Sequence, residues 1–582
     1  MKKNIAYILL MTSAMLVPSC TEVLDRQPLD KISENNVWQD ESMIRAYVTN
    51  LYSRFPFNAF EISNWYNITD EGTTSTGNNI NGTNGSVSRS SELNPFWDYA
   101  YIRDCNLFLE RIGATPLQDE PRRQLEGEVR FIRAYLYFEM QKRYGGVPLV
   151  DIVLDPFSEI DRKYTARAGE EAVAQFIGTE LDAAIALLSD NPLPKGRVNR
   201  WTALALKARA SLWSASIARY GERAQDGLTG IPADQAAAFY GKASQAATQI
   251  IESGVYTLYN KIPGDKSENY RKLFLDENNP EVIFEKPYDG VNIAHSWDGW
   301  HVPPQWAALR GGTGNPTLDF VMGFENIDGS TDQPGFGPPY ALYDNGRGPF
   351  ANKDPRLFAI VFFQGDSWAG GTTQTYEGLD PSPAPSPAQI IRNPNTSYEQ
   401  TPAVGPDSRN IAKDDLSTNS GFLIKKYIDD GATRIPEGQS KTNWITFRLA
   451  EMYLTKAEAE FELGNKAKAA EALNMTRERA GISLTTEAGI SLEKIRTERR
   501  SELAFEGGHR FWDLRRWRIA HQVLNRRFQG LQIILHYPTR KYYFIPFDCE
   551  SFTRVFRQEH YYNPITTARI DNNPDLLENP LY

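Results

Sequence analysis

Glu498, Glu502 and Glu506 stand four residues apart in RTERRSELAFEGGHRFWDLRRW (Arg496 to Trp517), a spacing that puts three carboxylates on one helix face. Carboxylates so arranged could do acid–base or metal chemistry. Arg499, Arg500, Arg510, Arg515 and Arg516 crowd around them, and paired arginines keep carboxylates ionised and occupied. The block therefore reads as a network of ion pairs and helix-end hydrogen bonds in preference to a catalytic rack. The six histidines include no HExxH or other metal-ligand spacing, and no GxSxG elbow, phosphate loop or dinucleotide fingerprint occurs. Asn326, Asp328, Ser330 and Asp332 alternate as in a calcium loop, but the glycine and distal glutamate such a loop requires are missing. No metal or cofactor is implied.

A second chemistry is stacking. Sugars present apolar C–H faces that flat aromatic side chains can cover, while polar neighbours hydrogen-bond the hydroxyls. Of the 12 tryptophans, Trp201, Trp213, Trp444, Trp512 and Trp517 fall in helical patterns and read as core, as does Trp97 at a helix start. Two loop clusters differ. In NWYNITDEG, Trp65 and Tyr66 adjoin beside Asn67 and Asp70, with no apolar period to bury both rings. In HSWDGWHVPPQW, Trp297, Trp300 and Trp306 accompany His295, Asp298, His301 and Gln305 in a loop shaped by glycine and proline. The candidate ligand contacts are Trp65, Tyr66, Asn67, Asp70, Trp297, Trp300, His301 and Trp306. The alternative is that these rings pack their loops onto the helical body or face a partner protein.

Helices must hold these loops. Phe447, Ala450, Leu454, Ala457 and Phe461 recur at helical spacing, Gly464-Asn465 breaks the run, and Ala469, Leu473, Thr476 and Ala480 form a second stripe that Gly481 ends. Leu125, Val129, Ile132, Leu136 and Met140 mark a helix stopped by Gly145-Gly146, and Val173, Ile177, Leu181, Ala184 and Leu188 mark its partner. Trp201 to Tyr220 and Ala236 to Ser253 form another pair. With Met43 to Arg54 and Pro95 to Ile112, the sequence predicts four helix pairs of tetratricopeptide-like length. Such pairs cannot bury their apolar faces alone, so they must stack. From Val255 to Lys441, proline, glycine and asparagine are dense and long helical patterns are absent. Within it Gly365 to Ser420, poor in apolar residues and carrying PSPAPSPA, reads as a mobile excursion.

The chain carries a net charge of −10 and no basic tract, which argues against a nucleic-acid partner. Lys2, Lys3 and the apolar run Ile5 to Val17 read as an export signal over residues 1–19, too short for a membrane span. Cys20 follows directly and resembles the lipidation site of bacterial lipoproteins, with residues 20–33 as the tether. Cys105 reads as a buried thiol, and its pairing with Cys549 is left open by two residues alone.

FRLAEMYLTKAEAE, ELAFEGGHRFWDLRRW and NPDLLENPLY resemble blocks of the SusD/RagB family of surface nutrient-binding lipoproteins of Bacteroidetes. GEVRFIRAYLYFEMQKRYGGVPL, RVNRWTALALKARASLW, PTLDFVMGFENIDG and NKDPRLFAI resemble further blocks, in the expected order. The resemblance implies a mostly α, SusD-like fold: four tetratricopeptide-like helix pairs packed against an irregular, loop-rich subdomain. It implies an N-terminal helical region at 34–254, a ligand- or transporter-facing region at 255–442, and a C-terminal region with the fourth pair at 443–582. In this family loops of the two aromatic regions contribute an arc of rings at the glycan site. The implied function is non-catalytic capture of an oligosaccharide and its delivery to a SusC-like TonB-dependent transporter, from an outer-membrane position anchored through lipid at Cys20. The alternatives are the same fold carrying peptides, as for relatives of the RagB type, and a surface glycoside hydrolase.

Overall fold

The helices predicted from periodicity form, and several start where a polar side chain satisfies a free backbone N–H. α1 (Glu41–Ser53), α2 (Tyr99–Arg111) and α5 (Arg200–Tyr220) begin at Asp40, Asp98 and Asn199, whose side chains accept the N–H of Met43, Tyr101 and Thr202. Between them lie α3 (Asp119–Tyr144) and α4 (Glu170–Leu187). They are followed by α6 (Ala236–Glu252), α7 (Lys266–Leu273), α8 (Leu449–Glu462), α9 (Lys466–Ala480), α10 (Leu492–Glu502) and α11 (His509–Arg516). The computed structural model describes residues 37–582, apart from 58, 79, 81, 156–164, 192, 309–310, 410–416 and the side chains of 61–64. The predicted export signal, the tether and Cys20 lie outside the described residues.

α3 packs on α4, α4 on α5, α5 on α6, α6 on α8 and α8 on α9, so the last pair joins the same stack as the earlier ones. Alanines make this close approach possible: Ala203, Ala205, Ala208 and Ala215 of α5, Ala243 and Ala247 of α6, and Ala457 and Ala469 of the last pair are fully buried. Gly481 ends α9 at φ 76, a left-handed value that favours glycine, as its position after the apolar stripe predicts.

The loop-rich segment leaves and re-enters this stack at one place. β1 (Val282–Lys286) runs antiparallel to β2 (Trp444–Arg448), with Trp444 opposite Lys286 and Arg448 opposite Val282. Beyond that gate the segment builds its own aromatic core, including Phe320, Phe350, Phe362, Phe422, Tyr427 and Trp444. β3 (Gln529–His536) and β4 (Lys541–Asp548) form a hairpin against it.

The described residues of Gly365 to Ser420 do not read in the structure as the excursion their composition predicts. Gly378–Asp380 lies parallel to β3, with Leu379 and Asp380 fully buried. The Asp380 carboxylate accepts the N–H groups of Ser382 (2.9 Å) and Ser386 (2.7 Å) and the Tyr543 hydroxyl (2.9 Å). Polar side chains here close the turns, a role that a count of apolar residues misses. Cys105 and Cys549 are both buried free thiols.

Candidate functional site

The carboxylate rack is an ion-pair network. Glu502 Oε1 lies 2.6 Å from Arg448 Nη1 and Oε2 lies 2.7 Å from Arg356 Nη1, and Arg479 also binds it. Glu498 pairs with Arg356 at 2.6 Å and Arg477 at 3.2 Å, and Glu506 with Lys426 at 2.7 Å and Arg448 at 2.8 Å. All three carboxylates are buried, and these neighbours hold them below the ordinary glutamate range against the opposing effect of burial. The partners are not those adjacent in sequence. Arg499 and Arg500 point off the glutamate face, because successive helical residues diverge. Arg499 and Arg516 hold Asp513 (3.1 and 2.8 Å), and Arg500 and Arg510 hold Asp70 (3.0 and 2.8 Å).

That last contact decides the first aromatic cluster. Asp70, expected to meet ligand, is a buried anchor whose carboxyl Arg500 and Arg510 hold well below the usual range, outweighing burial. Trp65 packs 4.7 Å from Phe511 and 5.5 Å from Trp512, ring centre to ring centre, over Gly508, where any Cβ would come within 3.0 Å of the indole. Tyr66 stands edge-on to Phe505 (5.4 Å), His301 (6.0 Å) and Trp297 (6.4 Å). Asn67 is buried beside them. The two aromatic clusters therefore meet, but inside the protein. Trp297 donates its indole N–H to the Lys426 carbonyl (2.9 Å), and burial depresses His301 to about 3, which leaves its imidazole neutral. Trp65, Tyr66, Asn67, Asp70, Trp297 and His301 cannot stack on a ligand without opening this core. Local period was no guide, because distant residues of the Arg496–Trp517 block and the loop-rich segment supply the burial. Trp65→Ala should accordingly lower folding stability by about 3–5 kcal/mol, read from the denaturant midpoint, as for other buried large-to-small changes.

Trp300 and Trp306 remain. Of the 12 tryptophans they are the two that have neither a stacked ring nor a cation over the ring among the described residues, and both are half-buried. Their loop is clamped from several sides. The Gln305 side chain donates to Asp407 Oδ2 (2.5 Å) and to the Thr372 carbonyl (2.9 Å), while Gln305 N–H donates to Asp407 Oδ1 (3.0 Å). Thr313 N–H reaches the Trp300 carbonyl (3.0 Å), and Arg434 N–H reaches the Trp306 carbonyl (2.7 Å). Gly371 lies beneath Trp306, where a Cβ would stand 3.2 Å from the indole Cζ2. The exposed Arg434 side chain makes no ion pair among the described residues, so Trp306 has a free cation on its neighbouring loop. Nothing in the sequence distinguished these two rings from their neighbours, since the three tryptophans of this loop share one composition.

Stacked helix pairs carrying a loop-rich lobe with open rings on a clamped loop define a helical-repeat scaffold that presents a surface. Residues 280–582 match the profile of the SusD family, and residues 22–212 match one described as starch-binding associating with outer membrane. The chain belongs to the SusD family. It is 26% identical to SusD-like protein P38 of Formosa agariphila over 90% of this chain and 93% of that one. A SusD-like protein of Bacteroides ovatus is 23% identical over 99% of this chain and 96% of its own. Among solved structures, a SusD-like protein of Bacteroides fragilis superposes with a TM-score of 0.73 at 26% identity, covering 96% of this chain and all (100%) of that one. A laminarin-binding SusD-like protein has a TM-score of 0.59 at 19% identity, covering 94% and 100%, and that likeness is one of fold. Among the described residues no helix is long and apolar enough to cross a membrane.

Proposed function

We propose that this protein captures an oligosaccharide without catalysis on the Trp300–Trp306 surface and hands it to a SusC-like TonB-dependent transporter. In this reading it is held at the outer face of the outer membrane by lipid on Cys20, and the helical stack keeps the binding loop rigid. The observation that supports the proposal is that, among the described residues, these two half-buried indoles are the tryptophans with neither a stacked ring nor a cation over the ring, although Trp306 packs by one side against the lobe core. Rings pre-positioned by backbone clamps lose little freedom on binding, and several modest stacking contacts retain a glycan that must later be released. Membership of the SusD family and the carbohydrate-binding relatives that share the fold support the glycan as cargo.

Affinity electrophoresis against a panel of polysaccharides tests this. The Trp300→Ala, Trp306→Ala double variant should bind the retained glycan at least about tenfold more weakly, equivalent to about 1.4 kcal/mol, while still unfolding in one cooperative transition above the assay temperature. Unaltered glycan binding would refute the site. Reducing ends released by the purified protein would replace capture with hydrolysis, and binding of extended peptides alone would favour the peptide-carrying alternative.

A further inference from the structure

A cavity of about 470 Å³ opens far along the chain from those tryptophans, where the end of α5 and its following loop meet the residues after α11 and the C-terminal tail. Its volume lies in the range of small-molecule sites. Its walls include Tyr220, Arg223, Arg518, His521, Tyr561 and Tyr562. The Arg518 guanidinium lies over two of these rings, 4.6 Å from the centre of Tyr561 and 4.8 Å from that of Tyr562, and donates to the Tyr562 hydroxyl (2.7 Å). Each tyrosine is fixed at its hydroxyl: Tyr561 lies 2.6 Å from His521 Nδ1, Tyr562 donates to Glu170 Oε2 (2.6 Å), and Tyr220 bonds Glu462.

The charge of this wall is balanced from within only indirectly, through the Tyr562 hydroxyl that bridges Arg518 to the buried Glu170. Neither Arg518 nor the exposed Arg223 makes an ion pair among the described residues. Behind them Arg515 is buried against Phe511 and Phe556 (3.4 and 5.0 Å), with a single long bond to the Phe511 carbonyl (3.4 Å) and no carboxylate partner among the described residues. Burial depresses it to about 9, and the charge of Arg518 adds to that effect. Two carboxylates line the cavity: Glu559 already lies 3.6 Å from Arg557, and Glu222 is exposed at the rim. A buried cation without a counter-charge is costly, and an anion in the cavity would offset that cost. A guanidinium held over aromatic rings keeps remaining N–H donors that suit a carboxylate or sulfate.

We infer that this cavity is a second ligand site that takes an acidic oligosaccharide, with the carboxylate or sulfate of one sugar against Arg518 and Arg223. The saccharide part of this assignment rests on the proposed function, whereas the anionic part rests on the cavity alone. Titration calorimetry with an oligouronate, a sulfated disaccharide, a neutral oligosaccharide of matched length and an acidic peptide tests it. The protein variants are Arg518→Lys, Arg223→Gln and the Trp300→Ala, Trp306→Ala double variant. The expected result is binding of at least one acidic sugar, weakened tenfold or more by R518K and measurably by the surface change R223Q, and unaffected by the tryptophan changes. R223Q keeps the test valid should R518K lower the melting temperature. The inference is overturned if acidic and neutral sugars bind alike, if acidic-sugar binding is lost only with the tryptophans, or if the acidic peptide alone depends on Arg518. Acidic binding that depends on Arg518, with neutral glycan binding indifferent to the tryptophans, would refute the first site and sustain this one.

Discussion

Replacing Arg448 with methionine should lower folding stability by about 3–5 kcal/mol, the range for breaking a buried ion pair from one side. Arg448 is 1% exposed and binds three carboxylates at once: Glu281 at 2.8 Å, Glu502 at 2.6 Å and Glu506 at 2.8 Å. It stands at the end of β2, where the loop-rich lobe returns to the stack, so its carboxylate partners tie that gate to α10 and the residues after it. Methionine keeps much of the volume, which makes the loss electrostatic. Glu502 and Glu506 retain other cations, Arg356, Arg479 and Lys426, so the fold survives at reduced stability. Urea unfolding followed by tryptophan fluorescence measures the loss. The double variant Arg448→Met, Glu506→Gln should recover part of it, because the two residues are coupled through one network. The pH profile gives an independent check. Glu498, Glu502 and Glu506 are held below their ordinary value of 4.5, so the stability they contribute is present above about pH 4.5 and is lost as pH falls through their folded values. The wild type should therefore lose stability on acidification more steeply than the variant. Equal stabilities at neutral pH would mean that the network is dispensable.

The same network shows where sequence reasoning reached and where it stopped. The helix pairs were legible because a 3.6-residue period is a local signal, and the stops at Gly145 and Gly481 are where the chain turns. The ionic character of the Glu498–Glu506 block was legible as well, but its partners were not. Arg356, Arg448 and Arg479 come from three separate parts of the chain, and no spacing announces such a meeting. The aromatic clusters failed for the same reason. Trp65 and Tyr66 lack a periodic apolar neighbour, yet Phe505, Phe511 and Trp512 enclose them from more than 400 positions away. Which rings stay only half-buried, as Trp300 and Trp306 do, is a property of the assembled lobe rather than of its composition.

Glu71→Gln should stabilise the protein at pH 8 by several kcal/mol while changing little at pH 4.5. Glu71 is 3% exposed and lines a cavity of about 20 Å³ with Phe60, Trp65, Tyr66, Trp297, Trp444 and Phe505. Burial, reinforced by the adjacent charge of Asp70, raises its carboxyl from 4.5 to about 8, and Arg510 and Arg500 offset this only in part because they are engaged by Asp70. Its Oε1 has no hydrogen-bond partner, so the substitution breaks no bond at that atom. A group whose folded value is raised contributes its stability in full below the unfolded value, near 4.5, and loses it as pH rises through about 8. A shift of this size corresponds to roughly 5 kcal/mol across that window, at about 1.36 kcal/mol per pH unit. Denaturant midpoints of the two proteins at pH 4.5, 6 and 8 should diverge progressively, the wild type falling further than the glutamine variant as pH rises. Parallel profiles would mean that Glu71 is ionised in the folded protein, and the aromatic core around Tyr66 and Trp297 would then have to hold a charge that no cation in direct contact balances. Because that core underlies the loop bearing Trp300 and Trp306, the same pH series run as glycan titrations separates loosening of the core from loss of the proposed binding surface: affinity should stay constant wherever the protein remains folded.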